Sequence, residues 1–134
     1  MKTKTNLQWR KVLAVAVALS VAGFSSGCVA VVAAGAGAGA VAYVRGQLET
    51  TQTRDFERTV RGTQRAIEQL GFAKVSDKKD ALLATFVARN AADKKIDIRL
   101  ENLGKDLTKI RIRIGIFGDE ELSRRILDKI RENS

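Results

Sequence analysis

The sequence predicts an α+β fold: a two-layer sandwich in which two helices cover one face of a mainly antiparallel sheet of four to five strands. Two segments near the carboxyl end alternate apolar and charged residues with period two, which is typical of strands with one buried face. Two segments with helical apolar spacing flank the strand-rich region. The predicted order is therefore strand, helix, four strands and helix, preceded by an apolar amino-terminal signal or anchor helix.

The amino-terminal segment has the three parts of a secretory signal peptide. Residues 1–11 carry four cations and no acid, residues 12–24 are a 13-residue apolar run, and Ser25-Ser26-Gly27 offers a small-residue cleavage site. Cys28, the single cysteine, would then be the first mature residue. Here the chain resembles bacterial lipoproteins, whose lipobox ends in a small residue followed by the cysteine to be diacylated. The resemblance implies that membrane lipid, with acyl chains such as palmitate, is attached to Cys28.

An uncleaved membrane span is the alternative for the same segment. The 33 residues between Lys11 and Arg45 carry no charge. They are long enough for a membrane span, which needs only about 20 apolar residues. Ser25 also stands where lipoboxes usually carry an aliphatic residue. In both interpretations the cations precede the apolar stretch, so we expect an extracytoplasmic domain. The residue directly after the cysteine is Val29, whereas lipoproteins of enteric bacteria that stay at the inner membrane carry Asp at this position. In a bacterium with an outer membrane, Val29 therefore favours the periplasmic face of that membrane.

Composition divides the chain into a signal peptide at residues 1–27, a lipidated cysteine with an Ala/Gly-rich tether at residues 28–45, and a folded domain at residues 46–134. The domain, at about 90 residues, is large enough to bury a core without disulfides. Four of the 24 Lys and Arg precede Cys28, which leaves 20 against 15 Asp and Glu in the remainder. This mildly basic balance suits an anionic surface and lacks the dense basic footprint of a nucleic-acid binder.

The first half of the domain reads as a strand, a helix and a second strand. Residues 46–53, GQLETTQT, are Thr-rich and predict an edge strand. Apolar residues recur at helical spacing from Arg54 to Leu70, with Thr53 as the expected N-cap. Gly71 should end this helix in a left-handed C-cap. A short strand is expected around Ala73 to Ser76.

Three strands and a helix complete the domain. The polar turn SDKKD, residues 76–80, leads into LLATFVARN, residues 82–90, which is apolar on both sides and predicts a central strand. The alternating runs KKIDIRLE, residues 94–101, and TKIRIRIGI, residues 108–116, are joined by a link short enough for a hairpin. Asp119 is the expected N-cap of the last helix, which should lie on the isoleucine side of the sheet.

Three segments of the domain carry a family resemblance: TQRAIEQLGF, KKDALLATFVARNAADKKIDIRL and, above all, TKIRIRIGIFGDEELSRRILDKI. With these segments, residues 45–134 resemble a family of small bacterial lipoproteins catalogued only as a domain of unknown function. The resemblance implies the fold and the anchored lipoprotein organisation. It implies no activity and no functional residue.

The domain lacks the side chains of the common catalytic and metal sites. The chain has no histidine and one cysteine, so we predict no catalytic residue, no metal and no cofactor. The mildly basic charge and the low aromatic content predict no nucleic-acid partner. We expect four acids to be solvated, in or beside turns and on the polar sheet face: Asp77, Asp80, Asp93 and Asp97. If a pair of these carboxylates were catalytic, the protein would instead be a small hydrolase of the cell envelope. The glycines of Gly115-x-x-Gly118 should permit a tight bend rather than bind phosphate, because three acids follow them.

Four cations should share the polar face of the sheet: Arg99, Lys109, Arg111 and Arg113. They either pair across strands with Asp97 and Glu101 or form a docking surface for an anionic envelope component or an envelope protein. The sequence thus predicts a lipoprotein of the bacterial cell envelope, membrane-anchored and non-catalytic, with a small binding or structural domain. The oligomeric state stays open.

Overall fold

The computed structural model describes residues 40–134, and the predicted signal peptide, Cys28 and most of the predicted tether lie outside these residues. Six strands and two helices follow one another: β1 Val41–Val44, β2 Gln47–Gln52, α1 Phe56–Gln69, β3 Ala73–Lys79, β4 Leu83–Arg89, β5 Lys95–Gly104, β6 Leu107–Ile114 and α2 Glu120–Asn133. The strands form one sheet in the order β1-β2-β6-β5-β4-β3, in which every neighbouring pair is antiparallel.

Period-two alternation in β5 and β6 builds the core, because it places every second residue on the same face. The buried residues of these strands are aliphatic: Ile96, Ile98, Leu100, Ile110, Ile112 and Ile114. Both helices pack on this face, α1 over β3, β5 and β6 and α2 over β2 and β6, and they also pack on each other. The predicted α+β sandwich with two helices on one side of an antiparallel sheet is therefore confirmed.

The sheet has one strand more than the predicted upper limit. Val41–Val44, assigned by sequence to the end of the tether, pairs with β2 through the turn at Arg45 and Gly46. Because β1 covers β2, the segment predicted as an edge strand is an interior strand, and β1 and β3 are the edges. The sequence did not predict β1, because its four apolar residues continue an apolar run and show no alternation of apolar and polar residues.

Two local predictions are wrong and one is confirmed. The turn expected at residues 76–80 is shorter, because β3 continues to Lys79 with a register shift after Lys74. The N-cap of α1 is Asp55, whose side chain accepts a hydrogen bond from the backbone N–H of Arg58 at 2.9 Å, and not Thr53. Gly71 ends α1 as predicted, in the left-handed region at φ 69°.

The helix ends and helix interface satisfy their own polar groups. In α2, Asp119 is the N-cap as predicted and accepts from the backbone N–H of Leu122 at 3.0 Å. The buried hydroxyl of Thr59 accepts from Gln52 at 3.2 Å, and within residues 40–134 no buried side-chain nitrogen or oxygen lacks a partner. Neither helix in this part of the chain is long and apolar enough to cross a membrane.

Candidate functional site

The sheet face opposite the helices, here called the open face, carries the charged residues of the central strands. Antiparallel pairing arranges them in three rows across β2, β6 and β5. The rows are Gln47, Arg113 and Asp97; Glu49, Arg111 and Arg99; and Thr51, Lys109 and Glu101. The structure thus brings together all four cations predicted for this face, one on β5 and three on β6.

An ion-pair network occupies one side of the open face. Glu49 accepts from Lys109 at 2.6 Å and from Arg111 at 3.0 Å, and Arg111 also reaches Glu101 at 2.5 Å. These side chains are half-buried, so solvent screens the pairs less than on a flat surface. The hydrogen bond from Lys109, aided by that from Arg111, lowers the pKa of Glu49. Cross-strand pairing therefore accounts for two of the four predicted cations.

The other two cations are not neutralised by acids in the described part of the chain. Arg99 lies directly opposite Arg111, and neither an ion pair nor a hydrogen bond engages its guanidinium among residues 40–134. Arg113 lies opposite Asp97 but donates to the backbone carbonyl of Ile116 at 2.9 Å, while Asp97 pairs with Lys95 at 3.0 Å. The pairing of Arg99 and Arg113 with neighbouring acids is thus absent here.

A shallow depression of about 250 Å³ lies between these unneutralised side chains. Its lining consists of Gln47, Asp97, Arg99, Arg111 and Arg113. Arg111 is already bound to Glu49 and Glu101, and Asp97 adds a carboxylate to the lining. Arg99 and Arg113 are therefore the cations that an incoming anion could engage. Their planar guanidinium groups present N–H donors that suit carboxylate and phosphate oxygens. The depression is open to solvent and lined by flexible side chains, so it is suited to docking an anionic group and lacks the enclosure of a small-molecule pocket.

The Gly115-x-x-Gly118 loop makes a tight bend between β6 and α2, as its glycines predict. Both glycines have positive φ, 61° and 84°. A Cβ on Gly118 would overlap the backbone of Gly46 in the β1–β2 turn and the hydroxyl of Tyr43. The two residues between the glycines, Ile116 and Phe117, are exposed. The alternating run of residues 108–116 had placed Ile116 in the last strand, but β6 ends at Ile114 and Ile116 lies in the bend.

The four acids considered for catalysis are dispersed. Asp77 pairs with Lys74 on edge strand β3, Asp93 with Arg89 in a turn, and Asp97 with Lys95 on the open face, while Asp80 caps the β3–β4 turn. Two backbone N–H groups, of Leu82 and Leu83, lower the pKa of Asp80. Within the described residues, no group of three acids lies close enough together to hold a metal ion.

Fold and open face together define a small two-layer α+β domain with a charged, solvent-facing sheet surface. The chain belongs to the family described as "Protein of unknown function (DUF3568)", whose model matches residues 11–133. A search of curated proteins gives no match. The predicted membership of a family of unknown function is therefore confirmed, and the family assigns no function to the open face.

Proposed function

We propose that the chain is an extracytoplasmic lipoprotein of the bacterial cell envelope, anchored by lipid on Cys28, whose domain is a non-catalytic binding or structural module. The observation that carries the proposal is the order of features along the chain. A cationic start, a 13-residue apolar run and a small-residue site precede the single cysteine. The first described strand follows soon afterwards, because β1 starts at Val41 with 12 residues between it and Cys28.

The short spacing keeps the domain near the membrane. If the 12 residues between Cys28 and Val41 formed a Gly-rich coil, their root-mean-square length would be about 17 to 21 Å. Lipoproteins of this kind carry two or three acyl chains, each contributing about 0.8 kcal/mol per buried methylene, so such an anchor is stable. The domain would thus act on partners at the membrane surface.

Intact mass of the protein extracted from membranes tests the anchor. We expect a mature form that begins at Cys28 and carries added diacylglyceryl mass, and a Cys28→Ala form without that mass. A full-length, unmodified mass would contradict the proposal. It would support the runner-up, a single-pass membrane protein with an uncleaved amino-terminal anchor and the same outward-facing domain.

The open face is the proposed docking surface for an anionic group of the envelope. Arg99 and Arg113 carry this part of the proposal, because neither side chain is neutralised by an acid within residues 40–134. The test is the Arg99→Glu/Arg113→Glu double variant, with Arg61→Glu/Arg65→Glu on the exposed side of α1 as the matched control. Both variants change the net charge by the same amount and differ in which face they alter.

Binding to isolated cell-envelope fractions, measured by co-sedimentation, separates the two faces. We expect the open-face variant to lose binding and the α1 variant to keep it. Equal binding by both variants and the unaltered protein would contradict a docking role for the open face. An equal loss in both variants would show that net charge, rather than this surface, governs the interaction.

A further inference from the structure

Two turns lie side by side at one end of the sheet, and together we call them the loop end. The first is Arg45–Gly46, between β1 and β2, together with Val44 at the end of β1, and the second is Gly115–Gly118, between β6 and α2. Three apolar side chains of the loop end face solvent: Val44 is 61% exposed, Ile116 79% and Phe117 92%. Removing apolar side chains of this size from water is favourable, so their exposure at neighbouring positions indicates a surface that binds a protein or a membrane.

Fixed backbone contacts impose this exposure. Gly46 and Phe117 meet so closely that a Cβ on Gly46 would lie 2.5 Å from the carbonyl oxygen of Phe117. The guanidinium of Arg113 donates to the carbonyl of Ile116 at 2.9 Å, which ties the loop to β6. The loop therefore presents consecutive apolar side chains outward from a braced turn.

Two cations, Arg45 and Arg113, lie in or beside the loop end. Within residues 40–134, neither Arg45 nor Arg113 has a carboxylate within ion-pair distance. The acids that follow the loop are each close to a cation: Asp119 lies 3.9 Å from Lys94, Glu120 2.7 Å from Arg124 and Glu121 3.2 Å from Arg125. The loop end thus combines exposed apolar groups with unneutralised positive charge.

The opposite end of the sheet is a natural comparison. It also exposes apolar residues: Leu82, Leu83, Leu103 and Leu107. Its charges differ, because Asp80 lies beside these leucines without an ion-pair partner in the described chain, and Lys105 and Asp106 offset each other in the hairpin turn. Six residues of β5 separate the two ends, about 20 Å. Of these two described ends, the loop end is the one that combines exposed apolar side chains with unneutralised positive charge.

The point at which the chain enters the domain leaves the loop end within reach of the membrane, although it does not by itself distinguish the two ends. β1 runs from Val41 toward the β1–β2 turn, so the loop end lies four residues, about 13 Å, beyond the entry point. A coil of the 12 residues between Cys28 and Val41 would have a root-mean-square length of about 17 to 21 Å, which exceeds this distance. Such a tether would allow the loop end to reach the membrane without unfolding any described element.

From these observations we propose that the loop end docks on the anionic membrane surface, with Phe117 and Ile116 in the acyl boundary and Arg45 and Arg113 on lipid phosphates. The inference rests on the proposed function and deepens it, because it names the membrane as a partner of the domain and fixes how the domain faces it. In this orientation the Arg113 end of the open face would lie at the level of the lipid head groups. The Lys109 end would lie farther from the membrane.

A tryptophan placed in the loop tests this orientation in the full chain. Trp9, the single tryptophan, lies in the predicted signal peptide and is replaced by Phe so that uncleaved chains add no emission, and either Phe117→Trp or the matched control Leu82→Trp is added. Each protein is reconstituted in vesicles of phosphatidylglycerol and phosphatidylethanolamine with brominated acyl chains, which quench only fluorophores within the bilayer. We expect emission at shorter wavelength and strong quenching for Phe117→Trp, and aqueous emission without quenching for Leu82→Trp.

Three results would overturn the inference: no quenching of Phe117→Trp in vesicle-bound protein, equal quenching of both variants, or stronger quenching of Leu82→Trp. Each can occur with the lipid anchor intact, which intact mass reports separately, so failure of the inference is distinguishable from failure of the proposed function. In vesicles of neutral lipid alone, or with Arg45→Gln/Arg113→Gln, quenching should fall. Arg61→Gln/Arg65→Gln is the matched charge control and should leave quenching unchanged.

Discussion

The contact between the β1–β2 turn and the β6–α2 loop predicts a large difference between two alanine substitutions in one motif. Gly118→Ala would force a left-handed φ of 84° on a residue with a Cβ and would drive that Cβ into the backbone of Gly46. Gly115→Ala faces the left-handed cost alone, since nothing lies within 4 Å of its Cβ position. The two variants thus separate backbone overlap from backbone conformation.

The expected magnitudes follow from these two costs. A left-handed conformation costs a residue with a Cβ about 1 to 2 kcal/mol, and overpacking against backbone adds about 1 to 3 kcal/mol. We therefore expect Gly118→Ala to lower the free energy of unfolding by about 2 to 5 kcal/mol and Gly115→Ala by about 1 to 2 kcal/mol. With a urea slope of about 1 to 2 kcal/mol/M, Gly118→Ala should shift the midpoint by about 1 to 5 M.

Urea unfolding of the purified chain, followed by far-ultraviolet circular dichroism, measures both variants. Equal midpoint shifts for Gly118→Ala and Gly115→Ala would refute the close approach of the two turns. That result would also contradict the contact between Gly46 and the Gly115–Gly118 loop, which holds Ile116 and Phe117 in their exposed positions.

Two further substitutions test a helix cap and a charge network by the same unfolding assay. Asp55→Ala should cost about 0.5 to 2 kcal/mol because it removes the N-cap of α1, whereas Thr53→Ala should cost little; a larger loss for Thr53→Ala would contradict this cap. Glu49→Gln should destabilise the domain at neutral pH, because the lowered pKa of Glu49 means that its stabilisation is present above the unfolded-state pKa and is lost as the pH falls through the folded-state pKa. The difference from the unaltered protein should therefore shrink toward zero in acid, and a difference that is independent of pH would contradict the pairing with Lys109 and Arg111.

The alternating strands were predictable because period two is a local property of the sequence. It assigns Ile112 to the core and Arg111 to the open face without knowledge of any partner strand. Strand β1 was not predictable, because Val41–Val44 has no contrast between its faces and becomes a strand only through its pairing with β2. Its identity depends on tertiary context, which outweighs local propensity.

The ion pairs within the open face could not be predicted from the sequence for a different reason, namely that they depend on the strand register. A register shift of two residues preserves which face each side chain occupies but changes every cross-strand partner. The hairpin at Lys105 and Asp106, with its irregularity between Asn102 and Gly104, fixes the register that sets Arg99 opposite Arg111. The sequence could therefore name the four cations of the face but not say which two would find acids.

The register also makes charge reversal at adjacent positions act in opposite directions on stability. Like charges directly opposite in a sheet are unfavourable, so Arg99→Glu, which converts the Arg99 and Arg111 pair into opposite charges, should raise the free energy of unfolding by about 0.2 to 1 kcal/mol. Arg111→Glu should instead lower it by at least about 1 kcal/mol, because Glu49 and Glu101 would lose a shared cation and face a third acid.

Both variants are compared with the unaltered protein at low and at high salt, since screening weakens exposed charge effects. If Arg99→Glu proves destabilising, Arg99 has a structural partner, and the reasoning that leaves it available for docking fails. If Arg99→Glu stabilises the fold and at the same time abolishes envelope binding, Arg99 is kept at a cost in stability for the sake of its partner, as expected of a side chain selected for binding.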